Sequence, residues 1–351
     1  MTDATSSLTK PLLAITLGDP AGVGPETIVG AWADPQFHEA CRAVVIGRPE
    51  ILRRAARLLR SPVQIVEVGT PDEARSCPPA LPCLTCGSAD AEHVSPAVVD
   101  ARSGQAAYDA LLVAIDLALA GRVAGIVTAP LNKAALWAAG HHYPGHTELL
   151  AERCGVREFA MMLYLTPGPA IHGRVGLGVV HVTLHTALRN VFEQITVPSI
   201  VSAARLADGV ARRLLRVQGL GGRPRVGVAA LNPHGGEQGL FGDEEHRIIR
   251  PAVEQGLAAG LDLVGPLPCD TLMTRAAAGE FDAVVAMYHD QGHIALKLLG
   301  LHRAVNITLG LPIIRTSVAH GTAFDLAWQG RAEHSGLIEA VRAAAALASQ
   351  R

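Results

Sequence analysis

Two subdomains, each with helices on both faces of a mostly parallel sheet and with a cleft between them, form the α/β fold that the sequence predicts. Three observations carry this. Short apolar runs alternate with longer amphipathic or Ala/Leu-rich segments, the rhythm of β-α units. Hydrophobic residues make up 49% but aromatics only 4%, so the core is built from Ala, Val, Leu and Ile, as in helix-covered parallel sheets. Several apolar runs pass directly into segments dense in Gly, Pro, His, Asp and Asn, which is where open α/β sheets place their ligands.

Taken in order, the predicted strands are Leu12–Leu17, Ala43–Ile46, Val63–Val68, Gly125–Thr128, Val175–Val180, Arg225–Ala230, Ala283–Ala286 and Ala304–Thr308. Ala106–Ala120 and Ile200–Val217 read as helices, because apolar residues recur there at three- and four-residue spacing. Six segments are expected to carry function: Gly18–Glu26, Thr128–Lys133, Gly145–Glu148, His181–Arg189, Leu231–Glu237 and Met287–Lys297. At 351 residues the chain exceeds one usual domain, yet no low-complexity linker or internal repeat divides it.

Charge is nearly balanced, 30 Lys and Arg against 32 Asp and Glu, without the basic run that nucleic acid or an anionic membrane requires. A small-molecule partner follows, with no nucleic acid and no membrane. Met1–Lys10 is polar and no later stretch approaches ~18 uncharged apolar residues, so a cytoplasmic location is expected. Of six cysteines only Cys83 and Cys86 have metal-like spacing; they lack a second pair and are expected to sit in a Pro-rich loop from Pro78 to Pro82.

Three histidines, His185 in HVTLHTALRN, His234 in LNPHGGE and His289 in MYHDQGH, sit in strand-end segments. Imidazole is the commonest neutral ligand for a divalent ion, and three protein ligands leave positions open for substrate oxygens. Against this, the chain has 15 histidines, and a single one more often serves on the surface or in a hydrogen-bonded core. Only three of the 30 basic residues are lysines, and two, Lys133 and Lys297, fall in the suspected site segments. A compact ammonium suits phosphate contact or proton transfer differently from a guanidinium fork; chance placement is the plainer reading. In TLGDPAGVGPE, Gly18, Asp19, Gly22 and Gly24 precede a helix and let backbone amides approach a ligand, although a plain tight turn would look similar. HGTAFDLAWQG, with His320, Gly321, Thr322 and Asp325, suits the adenosine half of a dinucleotide, or is an ordinary loop before a helix capped by Ser335.

The ordered strings GDPAGVGPE, PGHTE, LNPHGGE, CDTL, YHDQG and VNITLGLPIIRTSVAHGTA resemble, over nearly the whole chain, the 4-hydroxythreonine-4-phosphate dehydrogenase family of pyridoxal phosphate biosynthesis. The resemblance implies an isocitrate/isopropylmalate dehydrogenase-like fold, with 10–130 plus 304–351 on the cofactor side and 131–303 on the metal, substrate and dimer side. It implies NAD or NADP, and one divalent ion (Zn, Mg, Mn or Co) per site on His185, His234 and His289. It also implies a homodimer with shared active sites, in which His185 and His234 come from one chain and His289 from its partner. His146, Thr147, Lys297, Asn306 and Arg315 are then placed around a small phosphorylated hydroxy acid, and Lys133, Asp270 and Asp290 are candidates for catalysis or for orienting a ligand histidine. One departure stands out: His293 follows Gly292 where biosynthetic members more often carry an aliphatic residue or Pro.

The expected reaction is metal-dependent oxidation, with decarboxylation, of 4-phosphohydroxy-L-threonine to 3-amino-2-oxopropyl phosphate. Relatives on the same scaffold act on D-threonate or D-erythronate 4-phosphate or on aromatic dihydrodiol acids. From other classes, a metal-dependent phosphohydrolase and a non-catalytic phosphometabolite binder remain as competing expectations.

Overall fold

A computed structural model describes residues 10–349; the polar start read over residues 1–9 lies outside them. Twelve strands follow in chain order: β1 Leu12–Thr16, β2 Arg42–Gly47, β3 Gln64–Val68, β4 Ala80–Thr85, β5 Gly125–Thr128, β6 Ala160–Leu165, β7 Leu177–His181, β8 Arg225–Ala229, β9 Asp262–Leu267, β10 Ala283–Ala286, β11 Val305–Leu309 and β12 Arg315–Val318. The helices are α1 Gly24–Trp32, α2 Pro35–Ala40, α3 Pro49–Leu58, α4 Ala101–Leu119, α5 Lys133–Ala138, α6 His146–Arg153, α7 Leu188–Gln194, α8 Val197–Val217, α9 Arg250–Ala258, α10 Cys269–Ala277, α11 His289–Gly300 and α12 Ser335–Ala348. This is a mixed α/β protein with mostly parallel strands, as expected.

The chain forms two compact units, Met1–Leu150 with Pro312–Arg351, and Ala151–Leu311. In the first the strand order is β3-β4-β2-β1-β5-β12, every pair parallel. Strands β1 and β5 are wholly buried, since helices cover both faces of such a sheet. Helix α4 packs on β1 and β2, and α12 on β5 and β12. Asp100 caps α4 by accepting from Arg102 N. Its Gly104 has no room for a side chain, because a Cβ there would lie 2.0 Å from the Ala135 carbonyl oxygen. That contact seats α5, which begins at Lys133.

In the second unit the order is β11-β6-β7-β10-β8-β9. Strand β6 runs antiparallel to both neighbours and the remaining pairs are parallel. Helix α8 packs on β7 and β10, and α9 on β9. A capping box of Thr196 and Ser199 opens α8 three residues before the predicted helix start.

Four sequence readings need correction. The expected Pro78–Pro82 loop runs into β4, where Cys83 is fully buried and its thiol hydrogen-bonds the Gly47 carbonyl; Pro82 is tolerated at that strand position. The segment Met287–Lys297 is mostly α11, not loop, with His289 as its first residue. Ser335 does not cap α12: His334 occupies the cap position, without a side-chain bond, and Ser335 is the first helical residue. The sequence reading also passed over β6, β9 and β12. Among the described residues no helix is long and apolar enough to cross a membrane.

Candidate active site

In the first unit, Arg315 opens β12 and is only 3% exposed, with its guanidinium donating to Thr128 Oγ1 at 2.7 Å. Burial pushes its pKa down to about 10, and the Glu148 charge works in the opposite direction. Asn132 caps α5 by accepting from Ala135 N, which places Lys133 at the helix start. A Cβ on Gly145 would lie 3.4 Å from Glu148 Oε2 and 3.8 Å from Lys133 Cε. His146, at the start of α6, is held neutral: burial comes first, then the charges of Arg315 and Lys133, and its pKa falls well below the usual imidazole value. Thr147 follows it at the helix N-terminus. Arg315, Lys133 and His146 therefore lie near enough to feel one another's charge, a cationic cluster suited to an anionic group. Thr128 and Glu148, given no role by the sequence reading, belong to it.

The two glycine-containing segments of this unit also meet. Val23 N donates to the Thr322 carbonyl at 3.0 Å, Trp328 Nε1 to the Pro20 carbonyl at 2.9 Å, and Gly330 N to Glu26 Oε1 at 2.7 Å, while Glu26 also accepts from Trp328 N. Gly22 is explained by this packing, since a Cβ there would meet Thr322 Cβ at 2.9 Å; at Gly18 and Gly24 a Cβ would instead meet the Pro130 carbonyl oxygen at 2.4 Å and the Leu17 carbonyl oxygen at 2.6 Å. Gly321 faces open space instead. His320 and Asp325 are exposed on the same loop, where His320 Nδ1 approaches the Gly321 carbonyl and Asp325 O accepts from Gln329. A cavity of about 450 Å³ beside it is lined by Glu26, Gly30, Gly330, Arg331 and His334. Asp19 is fully buried; its Oδ1 accepts from Ala21 N at 2.8 Å, and burial raises its pKa to about 6.

In the second unit, His185 from the segment after β7 and His289 from α11 line a cavity of about 370 Å³ together with Tyr288 and Asp290. Their ring centroids are 6.0 Å apart. His289 Nδ1 lies 2.7 Å from Asp290 Oδ1, so the carboxylate accepts its proton and leaves Nε2 as the free donor atom. Tyr288 has its pKa raised, mainly by burial. Lys297 lies on α11 and Asn306 on β11, both partly buried. Asp270, exposed at the start of α10, adjoins Cys269, whose thiol hydrogen-bonds the Gln291 carbonyl at the base of α11.

His234 stands on its own turn, largely exposed, with Nδ1 3.3 Å from Glu237 Oε1. Residues 234–238 all have positive φ, between 44° and 79°. Asn232, just before, is fixed by Glu244 and Glu245. Among the described residues no three His, Cys, Asp or Glu side chains of one chain gather in a metal-holding arrangement; His185 and His289 share a cavity, and His234 is not among its lining residues.

Two α/β units with mostly parallel strands, one carrying a buried cationic cluster and the other two histidines in one cavity, are the framework of an α/β enzyme. The family model for pyridoxal phosphate biosynthetic protein PdxA matches residues 39–344, and the chain belongs to that family. It is 43% identical over 96% of its length to D-threonate 4-phosphate dehydrogenase of Pectobacterium atrosepticum, of which it covers 99%. It is 46% identical to 4-hydroxythreonine-4-phosphate dehydrogenase of Beijerinckia indica, covering 93% of this chain and 91% of that one. A crystal structure of 4-hydroxythreonine-4-phosphate dehydrogenase from Klebsiella pneumoniae superposes with a TM-score of 0.84 at 42% identity, covering 96% and 99% of the two chains. These relatives are dehydrogenases, and the family implies a nicotinamide cofactor.

Proposed function

We propose that the protein oxidises a four-carbon hydroxy acid phosphorylated at C4, with 4-phosphohydroxy-L-threonine as the leading substrate. The observation that carries this is the buried, cationic Arg315 with Lys133 and the neutral His146, a set that an anionic phosphate or carboxylate would satisfy. Lys297 and Asn306 are assigned to the same substrate. The first unit is assigned to NAD or NADP, supported by the joined segments around Val23 and Thr322 and the cavity beside them.

His185, His234 and His289 are proposed to hold one divalent ion, Zn, Mg, Mn or Co. The donor chemistry fits, because Asp290 sets the tautomer of His289 through Nδ1 and leaves Nε2 available to an ion. Such an ion, when bound, supplies Lewis acidity towards the substrate's hydroxyl oxygen. His146 contributes by staying neutral beside two cations, so it can hydrogen-bond substrate without adding charge. Arg315 and Lys133 fix the anionic end, and Asp270 is kept as a proton carrier. Hydride loss from the hydroxyl-bearing carbon and proton loss from oxygen give a β-keto acid; its C–C bond breaks to release carbon dioxide, and the product carbon takes up a proton. We further propose a homodimer in which His289 joins His185 and His234 of the partner chain, as the resemblance implies.

D-threonate 4-phosphate is a second reading, favoured by the name of the Pectobacterium relative. Incubation with NAD or NADP, divalent metal and a panel of phosphorylated hydroxy acids tests both. Reduced-nicotinamide absorbance with either substrate supports the dehydrogenase and selects between them. Release of inorganic phosphate without it would overturn the proposal in favour of hydrolysis.

A further inference from the structure

Behind His289 lies a pair of histidines that the reaction scheme does not use. His181 ends β7 and His293 lies one turn along α11 from His289; they are 3% and 7% exposed. His293 Nδ1 is 3.1 Å from His181 Nε2, so one proton is shared between the two rings in a hydrogen bond. On its other side His293 lies face to face with His289, with centroids 3.9 Å apart and planes inclined by 11°. Gly292 makes the approach possible: a Cβ there would lie 2.4 Å from His181 Nε2 and 2.7 Å from Val179 Cγ1.

Two constraints thus meet on His289. Asp290 holds its edge through Nδ1, which fixes the tautomer, and His293 covers its face, which fixes the plane. The ring of His293 cannot swing away without breaking its bond to His181, and that bond is buried, where a lost partner is not replaced by water. An aliphatic residue at 293 would fill part of the space but would neither bond His181 nor present a flat face.

We propose that His293, anchored by His181, is a positioning residue that sets the orientation of the His289 imidazole towards the metal. This rests on the metal reading above. Supporting groups behind a ligand imidazole typically change metal affinity about 10- to 100-fold when removed.

The test uses metal-stripped, full-length protein titrated with Co²⁺ alone, following both affinity and the visible ligand-field spectrum, which reports coordination geometry and is indifferent to general stability. His293→Leu should bind Co²⁺ about 10- to 100-fold more weakly with an altered spectrum. His293→Phe, which keeps a flat ring without the bond to His181, should recover part of the affinity, whereas His293→Asn, which can keep a nitrogen near the Nδ1 position but no stack, should not. If His293→Leu fails to fold, the Phe and Asn variants decide the matter. Wild-type affinity and spectrum in His293→Leu, or full retention in Asn with loss in Phe, would overturn the positioning role. Equal Co²⁺ binding by wild type and His289→Ala would instead overturn the metal reading itself, a separate and recognisable failure.

Discussion

Replacing Arg315 with Met should separate binding from stability. The guanidinium is 3% exposed and burial brings its pKa down to about 10. That depression corresponds to roughly 3 kcal/mol against the charged form in the folded protein. Its bond to Thr128 returns about 1 kcal/mol. A methionine of similar length should therefore change the stability of the ligand-free protein by no more than about 2 kcal/mol, because relief of the desolvation cost is offset by loss of the Thr128 bond and of the Glu148 attraction. Binding should suffer far more, since removing one member of a buried charge pair costs roughly 2–5 kcal/mol, or about 30- to 5,000-fold in KM for a phosphorylated substrate. Thermal melts without ligand and initial rates across substrate concentration measure the two sides. A variant that melts many degrees lower while keeping its KM would show Arg315 to be a structural residue, and the cationic-site reasoning would fail.

Further outcomes follow from other residues. Lys297→Ala should raise KM for a phosphorylated substrate far more than for its dephosphorylated analogue; equal effects would remove the phosphate role. His234→Ala and His289→Ala should each be inactive alone, but refolded together in equal amounts they should regain roughly a quarter of wild-type activity through hybrid dimers, and inactive verified hybrids would refute the shared site. Chelation should abolish turnover and added divalent ion restore it, with a metal-free sample of full activity as the contrary result. For Asp19, the folded pKa of about 6 lies above the usual carboxylate value, so its protonated form favours folding at low pH and that contribution is lost as pH rises through about 6. Asp19→Asn should accordingly raise the melting temperature at pH ~7.5 and lose that advantage near pH ~4, by an amount on the order of 3 kcal/mol; a shift independent of pH would count against it.

The parallel strands were legible because β1, β2, β5, β7 and β10 are short buried runs of Val, Ile, Leu and Ala between turn residues. Strands β4 and β9 were hidden by Pro82 and by the Gly265–Pro266 pair, which read as loop signals although the chain continues through them. Strand β12, RTSV, is fully buried yet polar, because it delivers Arg315, so the function of the strand masked its pattern. At the site, motif strings pointed to His185, His289, His146 and Arg315. Glu148 lay inside one such string without a role, and the contact of His181 with His293 joins residues 112 apart in sequence, a proximity that spacing does not encode.

The left-handed run from His234 to Gln238 shapes what mutation can do at that turn. Three of its residues, His234, Glu237 and Gln238, carry side chains in a conformation that favours glycine. Glu237 and Gln238 are thus positions where glycine relieves torsional cost, and where β-branched residues such as Val or Ile are penalised most. His234 has no such latitude under the proposed chemistry. Random variation across this turn should thus be tolerated asymmetrically: smaller at 237 and 238, fixed at 234, and intolerant of any insertion, since one added residue would turn the imidazole to another side of the loop.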